Sequence, residues 1–206
     1  MTKQPTAQIA PQQGQAEQCH ISGVTDAPAN MLRFVYAPSQ DGQKKGVLTP
    51  DLAVRLPGEG IWLVNRKSLV ADLAARADID TASDLAERVE KLMRAHLTSL
   101  LSLARKAGSL VSGFGKTEAA LSAGRLRLLI GAHDGAADGR RKLMKKAEAA
   151  GIMWSTLLSS DELGMALGRA NVIHAGLTDV GWAERFQREA GRLAAYLADI
   201  DGRMSE

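Results

Sequence analysis

The tripeptide Gly115-Lys116-Thr117 has the residue types that hold nucleotide phosphates at the end of a P-loop. A P-loop also requires a glycine five positions before the tripeptide, because successive backbone N–H groups must surround the phosphates. Leu110 stands at that position, and the spacing of the leucines upstream predicts a helix ending at Gly108 instead of a buried strand. A nucleoside triphosphate-binding enzyme is therefore a poorly supported interpretation of this stretch.

The same stretch, SGFGKTEAAL, predicts the start of a helix, and a helix start can bind an anion. Two glycines, Gly113 and Gly115, allow the backbone to approach a partner closely. Lys116 adds a mobile positive charge, Thr117 adds a hydroxyl group, and Phe114 is a candidate to stack on a base. In the alternative interpretation, Gly113 only permits the turn and Lys116 is a solvated surface residue.

No other set of residues has the types and spacing of a catalytic or metal site. The four histidines are spread along the chain without a matching nucleophile or acidic partner. Asp134 and Asp138 flank a glycine but lack the further oxygen ligands of a calcium loop. The single cysteine, Cys19, excludes an internal disulfide, and its neighbour His20 does not complete a zinc site. We therefore expect no catalytic residue, no metal and no cofactor.

The basic residues are concentrated in the middle of the chain. Residues 91–150 contain 12 basic and 4 acidic residues, a net charge of +8. Residues 1–90 contain 9 basic and 11 acidic residues, and residues 151–206 contain 5 and 8, so both flanks are net negative. A solvated helix face explains part of the excess, because GRRKLMKKAEAA has the composition of an exposed helix. The remainder favours a polyanionic partner, of which nucleic acid is the commonest.

The elements that would position these residues are those of an α/β protein with two domains. Residues 1–16, polar and rich in glutamine, are expected to form a flexible arm. Residues 17–92 combine strand candidates such as MLRFVYAP with an amphipathic helix and a linker helix, which predicts a small α/β N-terminal domain. In residues 93–206, helices alternate with short apolar strands, which predicts a three-layer α/β/α sandwich.

Two smaller patterns bear on packing and on the membrane. Ser159 and Glu162 have the spacing of a helix capping box, and three tryptophans, Trp62, Trp154 and Trp182, adjoin apolar positions that favour core packing. No apolar stretch approaches the roughly 18 residues of a membrane span, and the N-terminus lacks the apolar segment of a secretory signal. We expect a cytoplasmic protein without a membrane partner.

The segment LLSLARKAGSLVSGFGKTEAALSAGRLRLLIGAHDGAADGRRKLMKKAEAAGI resembles the kink-turn-binding ribosomal protein superfamily, in particular its bacterial YlxQ-like members. The resemblance covers roughly residues 97–190. It implies that the helix start at residues 113–118 meets bent RNA, and that two loops, near residues 132–139 and 168–171, hold a flipped-out nucleotide. Ribosomal members have an Asn-Glu or Lys-Gln pair where this chain has Gly115 and Lys116. This departure implies general RNA binding without strict kink-turn specificity.

The N-terminal region resembles the bacterial YlxR family, because Cys19, Gly58, Gly60 and Trp62 match the cysteine, glycines and aromatic residue of its pattern. Two positions depart from that pattern: Gln18 and Glu59 replace basic residues, and a carboxylate at position 59 would repel phosphate. The resemblance leaves a set of possible RNA contacts in this domain: Arg33, Arg55, Gly58, Gly60, Arg66 and Lys67. Alternatively, the domain is a protein-interaction or purely structural module.

Taken together, these patterns predict a non-catalytic RNA-binding protein. The resemblances imply a role in transcription termination, antitermination or ribosome function, with the transcription elongation machinery or the ribosome as further partners. A protein-interaction adaptor with a basic docking helix is the alternative. The predicted RNA contacts of the C-terminal domain are Arg105, Lys106, Gly113, Phe114, Gly115, Lys116, Thr117, Glu118, Arg140 and Arg141.

Overall fold

The computed structural model describes residues 16–37 and 46–198. The chain divides into two compact units: residues up to Lys91 together with those from Ala195 onward, and residues from Leu92 to Ala194. Both units combine helices and strands, which confirms the predicted α/β class. The predicted N-terminal arm lies outside the described residues, except for Ala16.

The first unit is built on two small antiparallel sheets and a helix. A short pair of strands comes first, β1 (Glu17–Gln18) and β2 (Thr25–Asp26). The main sheet has the strand order β4-β3-β5 and consists of β3 (Met31–Tyr36), β4 (Leu48–Pro50) and β5 (Gly60–Val64). Because β3 is the central strand, all its residues from 31 to 35 are buried. The helix α1 (Lys67–Ala74) follows β5 and buries Val70 and Leu73.

The long helix α2 (Leu85–Lys106) contains the division between the two units. In the second unit it buries Leu97, Leu101 and Ala104, which lie on one face at helical spacing, as the sequence predicts. The following elements alternate between strand and helix: β6 (Leu110–Ser112), α3 (Phe114–Ser122), β7 (Leu128–Gly131), α4 (Ala137–Ala149), β8 (Met153–Ser155), α5 (Ser160–Leu167), β9 (His174–Leu177) and α6 (Val180–Ala198).

The sheet of the second unit has the strand order β6-β9-β7-β8, in which only the pair β7 and β8 is parallel. Adjacent residues of β7 face opposite sides of this sheet, as they must in a strand. Leu129 packs in a cluster with Leu121 of α3 and Leu143 of α4. Leu128 instead lines a groove with Phe186 of α6. Helices thus cover both faces of the sheet, which is the layered arrangement that the sequence predicts.

The local sequence signals have mixed outcomes: the capping box and one core tryptophan are confirmed, one tryptophan is exposed, and Trp182 is partly buried. Ser159 and Glu162 form the predicted capping box: the Ser159 Oγ accepts from the Glu162 N–H at 3.1 Å, and the Glu162 carboxylate accepts from the Ser159 N–H at 2.7 Å. Trp62 is buried as predicted, but Trp154 is 45% exposed, because its strand β8 is at the edge of the sheet. In residues 16–37 and 46–198, no helix is both long and apolar enough to cross a membrane.

Candidate nucleic-acid interface

The start of α3 is an uncapped helix end held in place by the neighbouring strand. Gly113 is the N-cap residue, and its φ of 91° is a conformation that only glycine adopts readily. Its N–H donates to the His174 carbonyl oxygen at 2.8 Å, which ties the helix start to β9. No side chain caps this end. The first N–H groups of α3 therefore remain as donors, and the positive end of the helix dipole is uncovered.

Phe114 is half-buried and packs against α4 and β9 instead of standing free. Its ring lies edge-on to the His174 ring, with 5.7 Å between the centroids, and the Lys142 Nζ lies 5.2 Å from the Phe114 centroid. Burial lowers the pKa of His174, and the nearby Arg140 charge lowers it further, so this histidine is neutral at pH 7. His174 has no predicted role, although its place in the apolar segment VIHAGLT is a signal of burial.

Two of the predicted RNA contacts on α3 are engaged within the protein: one side chain is buried and the other is ion-paired. Thr117 is fully buried, so its hydroxyl group cannot contact RNA at the surface, and that prediction is wrong. The Glu118 carboxylate pairs with Lys146 and, at 3.4 Å, with Lys142. The hydrogen bond from Lys146 holds the pKa of Glu118 below its usual range, so the side chain is negatively charged at neutral pH. Glu118 thus connects α3 to α4 and neutralises part of the basic charge.

Arg140 organises the loop after β7. Its Nη1 donates to the carbonyl oxygens of Ala132, His133 and Gly135, at 2.9, 2.5 and 3.3 Å. Arg141 is exposed and pairs with Asp138 at 2.7 Å. Both arginines were predicted to contact RNA, and this stays a prediction, because a guanidinium group with five N–H donors has further donors beyond these bonds. Arg140 also stabilises the loop that the sequence resemblance assigns to nucleotide binding.

A small pocket lies beside the start of α3. It has a volume of about 200 Å³ and is lined by Ser112, Leu110 and Val111 of β6 and by three basic side chains, Arg105, Lys116 and Arg169. The Arg105 Nη1 donates to the Leu167 carbonyl oxygen at 2.6 Å, which fixes its guanidinium group at the end of α5. In the described part of the chain, no carboxylate lies within ion-pair distance of any of the three.

The pocket joins two residues of the predicted contact list to one residue of a predicted loop. Arg105 and Lys116 belong to the predicted contacts, whereas Lys106 is exposed and does not line the pocket. Arg169 was not named among those contacts, but it lies in the loop near residues 168–171 that the sequence resemblance assigns to nucleotide binding. Gly168, just before it, ends α5 in the left-handed conformation with a φ of 57° and turns the chain back towards the sheet.

Among the predicted contacts of the first unit, Arg33 is buried and two glycines lie against it. Arg33 is only 2% exposed: its guanidinium group pairs with Asp51 at 2.5 Å and donates to the carbonyl oxygens of Leu56 and Gly58. The prediction that Arg33 contacts RNA is therefore wrong. Gly60 lies against this side chain, since a Cβ atom there would be 2.5 Å from the Arg33 Nε. The glycines of the YlxR-like pattern thus surround a buried arginine.

The remaining basic residues of the first unit differ in exposure. Lys67 is largely buried and pairs with Glu90 at 2.8 Å, so it is not a free cation. Arg55 and Arg66 are exposed and have no carboxylate partner among the residues that the structure describes. Of the predicted basic contacts in this unit, Arg55 and Arg66 are therefore the two that remain available for a polyanion. No group of three or more histidine, cysteine, aspartate or glutamate side chains in the described residues could hold a metal ion.

No protein-family model matches the chain, and no curated protein matches it. Several solved structures match the chain, and two of them are similar to about half of it. One is a protein of unknown function from Bacillus halodurans, with 26% identity and a TM-score of 0.46, covering 47% of this chain and 98% of that chain. The other is the Giardia lamblia 15.5kD RNA binding protein, with 18% identity and a TM-score of 0.42, covering 49% of this chain and 89% of that chain.

Proposed function

We propose that this chain is a non-catalytic RNA-binding protein whose principal contact surface surrounds the start of α3. The observation that supports this most directly is the pocket in which three cations, Arg105, Lys116 and Arg169, meet without a carboxylate partner. Cations that converge on a concave surface raise the local concentration of anions. The uncapped helix end beside them adds donors of the kind that bind phosphate.

An RNA partner is favoured over other polyanions by the sequence resemblance of residues 97–190 to kink-turn-binding proteins. The helix start that the resemblance assigns to RNA adjoins the cationic pocket through Lys116. The same resemblances, together with that of the N-terminal region to the YlxR family, support a role in transcription termination, antitermination or ribosome function. Such a role would place the protein in the cytoplasm.

We infer no nucleotide hydrolysis, because the connection between β6 and α3 is too short. A P-loop needs several residues between its strand and its helix to surround the phosphates. Here the single residue Gly113 separates Ser112, the end of β6, from Phe114, the start of α3. Lys116 therefore supports anion binding. The loop that phosphoryl transfer requires has no room between β6 and α3.

The test compares RNA affinity in two lysine variants by fluorescence anisotropy, with one kink-turn RNA and one unstructured RNA. Lys116→Gln should weaken the binding of both RNAs about fivefold, as expected for the loss of one solvent-exposed ion pair with a phosphate. Lys145→Gln is the matched control, because Lys145 is an exposed lysine of α4 that does not line the pocket. Equal losses in the two variants would show that only overall charge matters, and the absence of RNA binding at low salt would reject the proposal.

A further inference from the structure

The geometry of the cationic pocket restricts what kind of phosphate fits it. Its basic side chains come from three separate segments: Arg105 from the end of α2, Lys116 from α3 and Arg169 from the loop after α5. Its remaining wall is the edge strand β6, residues Leu110, Val111 and Ser112. Cations that converge on a concave surface attract an anion more strongly than the same cations spread over an open surface.

The pocket is too small to enclose a whole nucleotide, but it has room for a phosphate group. Sites that enclose small organic ligands have volumes of about 300 to 1,000 Å³, whereas this pocket has about 200 Å³. Guanidinium groups match phosphate oxygens by donating two parallel hydrogen bonds. Arg105 is already positioned, because its Nη1 donates to the Leu167 carbonyl oxygen at 2.6 Å.

The charge and concavity of the pocket favour a terminal phosphate over an internal one. An internal phosphodiester carries one negative charge, and the nucleic acid chain must both enter and leave the site. A terminal phosphate carries about 1.5 to 2 negative charges at pH 7 and enters from one side. Three unpaired cations around a concave site correspond better to the terminal group.

We propose that Arg105, Lys116 and Arg169 form a binding site for a terminal phosphate group, as found at an RNA 5′ end or on a nucleoside diphosphate. The proposal rests on the proposed function, because it assigns the same surface a preference for one part of an RNA. It adds a preference for terminal phosphates, which binding to the internal phosphates of the RNA backbone does not require.

The experiment measures the dissociation constants of three RNAs of one sequence that end in a 5′-hydroxyl, a 5′-monophosphate or a 5′-triphosphate group. The phosphorylated RNAs should bind about tenfold tighter than the hydroxyl form, as expected for charge-assisted hydrogen bonds. Arg169→Gln should remove this preference. Arg125→Gln should retain it, because Arg125 is an exposed arginine that does not line the pocket.

Two competitors distinguish the sources of the terminal phosphate. If a free nucleotide also binds, ADP and inorganic pyrophosphate should displace 5′-phosphorylated RNA, but sulfate at equal ionic strength should not. Equal affinity for all three RNAs, together with no displacement by ADP or pyrophosphate, overturns the proposal.

Failure of this proposal can be told apart from failure of the proposed function. If no RNA binds but calorimetry detects ADP binding that Arg169→Gln abolishes, the RNA function fails and the phosphate site stands. If all RNAs bind equally and ADP does not, RNA binding stands and the phosphate site fails.

Discussion

Arg33 places a positive charge inside the first unit, on the central strand β3. Its segment, MLRFVY, has the pattern of a strand with one exposed basic residue among apolar residues that face the core. In the structure Arg33 is buried, and its partner Asp51 lies 18 positions further along the chain. The Asp51 carboxylate also accepts from the N–H groups of Arg55 and Leu56, at 3.0 Å each. Only this non-local network makes burial of the charge tolerable.

The network predicts a large loss of stability when Arg33 is replaced. Arg33→Met leaves the Asp51 carboxylate buried without its cation, so the free energy of unfolding should fall by about 3 to 5 kcal/mol. Urea denaturation measures this change. Arg55→Met is the matched control, because this arginine is exposed, and its effect should stay within about 0.5 kcal/mol. A similar small effect for Arg33→Met would mean that the pair does not stabilise the unit.

Among the elements, helices were more predictable than the pairing of strands. Helical spacing and the capping box are local, so the sequence predicts the buried face of α2 and the start of α5. The position of a strand within a sheet depends on pairing between distant segments. Trp154 is therefore exposed although its sequence neighbours are apolar: β8 pairs with β7 alone and forms the sheet edge. The convergence of Arg105, Lys116 and Arg169 on one pocket was not predictable for the same reason, since it brings together three segments that are distant in the sequence.

The contact between α3 and α4 places a negative charge close to the proposed RNA surface. Glu118 pairs with Lys142 and Lys146, and its own charge opposes an approaching phosphate. Glu118→Gln should therefore strengthen RNA binding two- to fivefold at about 50 mM salt, which is the range expected for one exposed ion pair. The gain should shrink at about 300 mM salt, where exposed charges are screened.

A second glutamine variant separates this local effect from a change of net charge. Glu148 is an exposed carboxylate near the end of α4 and has no basic partner among the described residues. Glu148→Gln removes the same charge, so it should produce a smaller gain if the Glu118 contact matters. Anisotropy titrations of both variants at the two salt concentrations measure the difference. An unchanged affinity in Glu118→Gln would place RNA away from the surface between α3 and α4.

On the scale of the whole molecule, the positive charge of residues 91–150 is only partly free. Four of their 12 basic residues lie within ion-pair distance of a carboxylate: Arg94, Arg141, Lys142 and Lys146. The other eight have no carboxylate partner among the described residues, and Arg105 and Lys116 in the pocket are two of them. Net charge thus overstates the charge available to a ligand, but a substantial excess remains.

This free charge predicts a steep dependence of RNA affinity on salt. If about half of the unpaired cations contact phosphates, roughly four counterions are displaced on binding, and the slope of log K against log salt should be near −3 for single-stranded RNA. Lys116→Gln should reduce the magnitude of the slope by about 0.7, because it removes one phosphate contact. Lys145→Gln should leave the slope unchanged, since this lysine does not line the pocket. Titrations at four or more salt concentrations measure these slopes. A flat response would show that binding does not depend on phosphate contacts. Equal slopes in the parent protein and both variants would show that the phosphate contacts lie away from the start of α3.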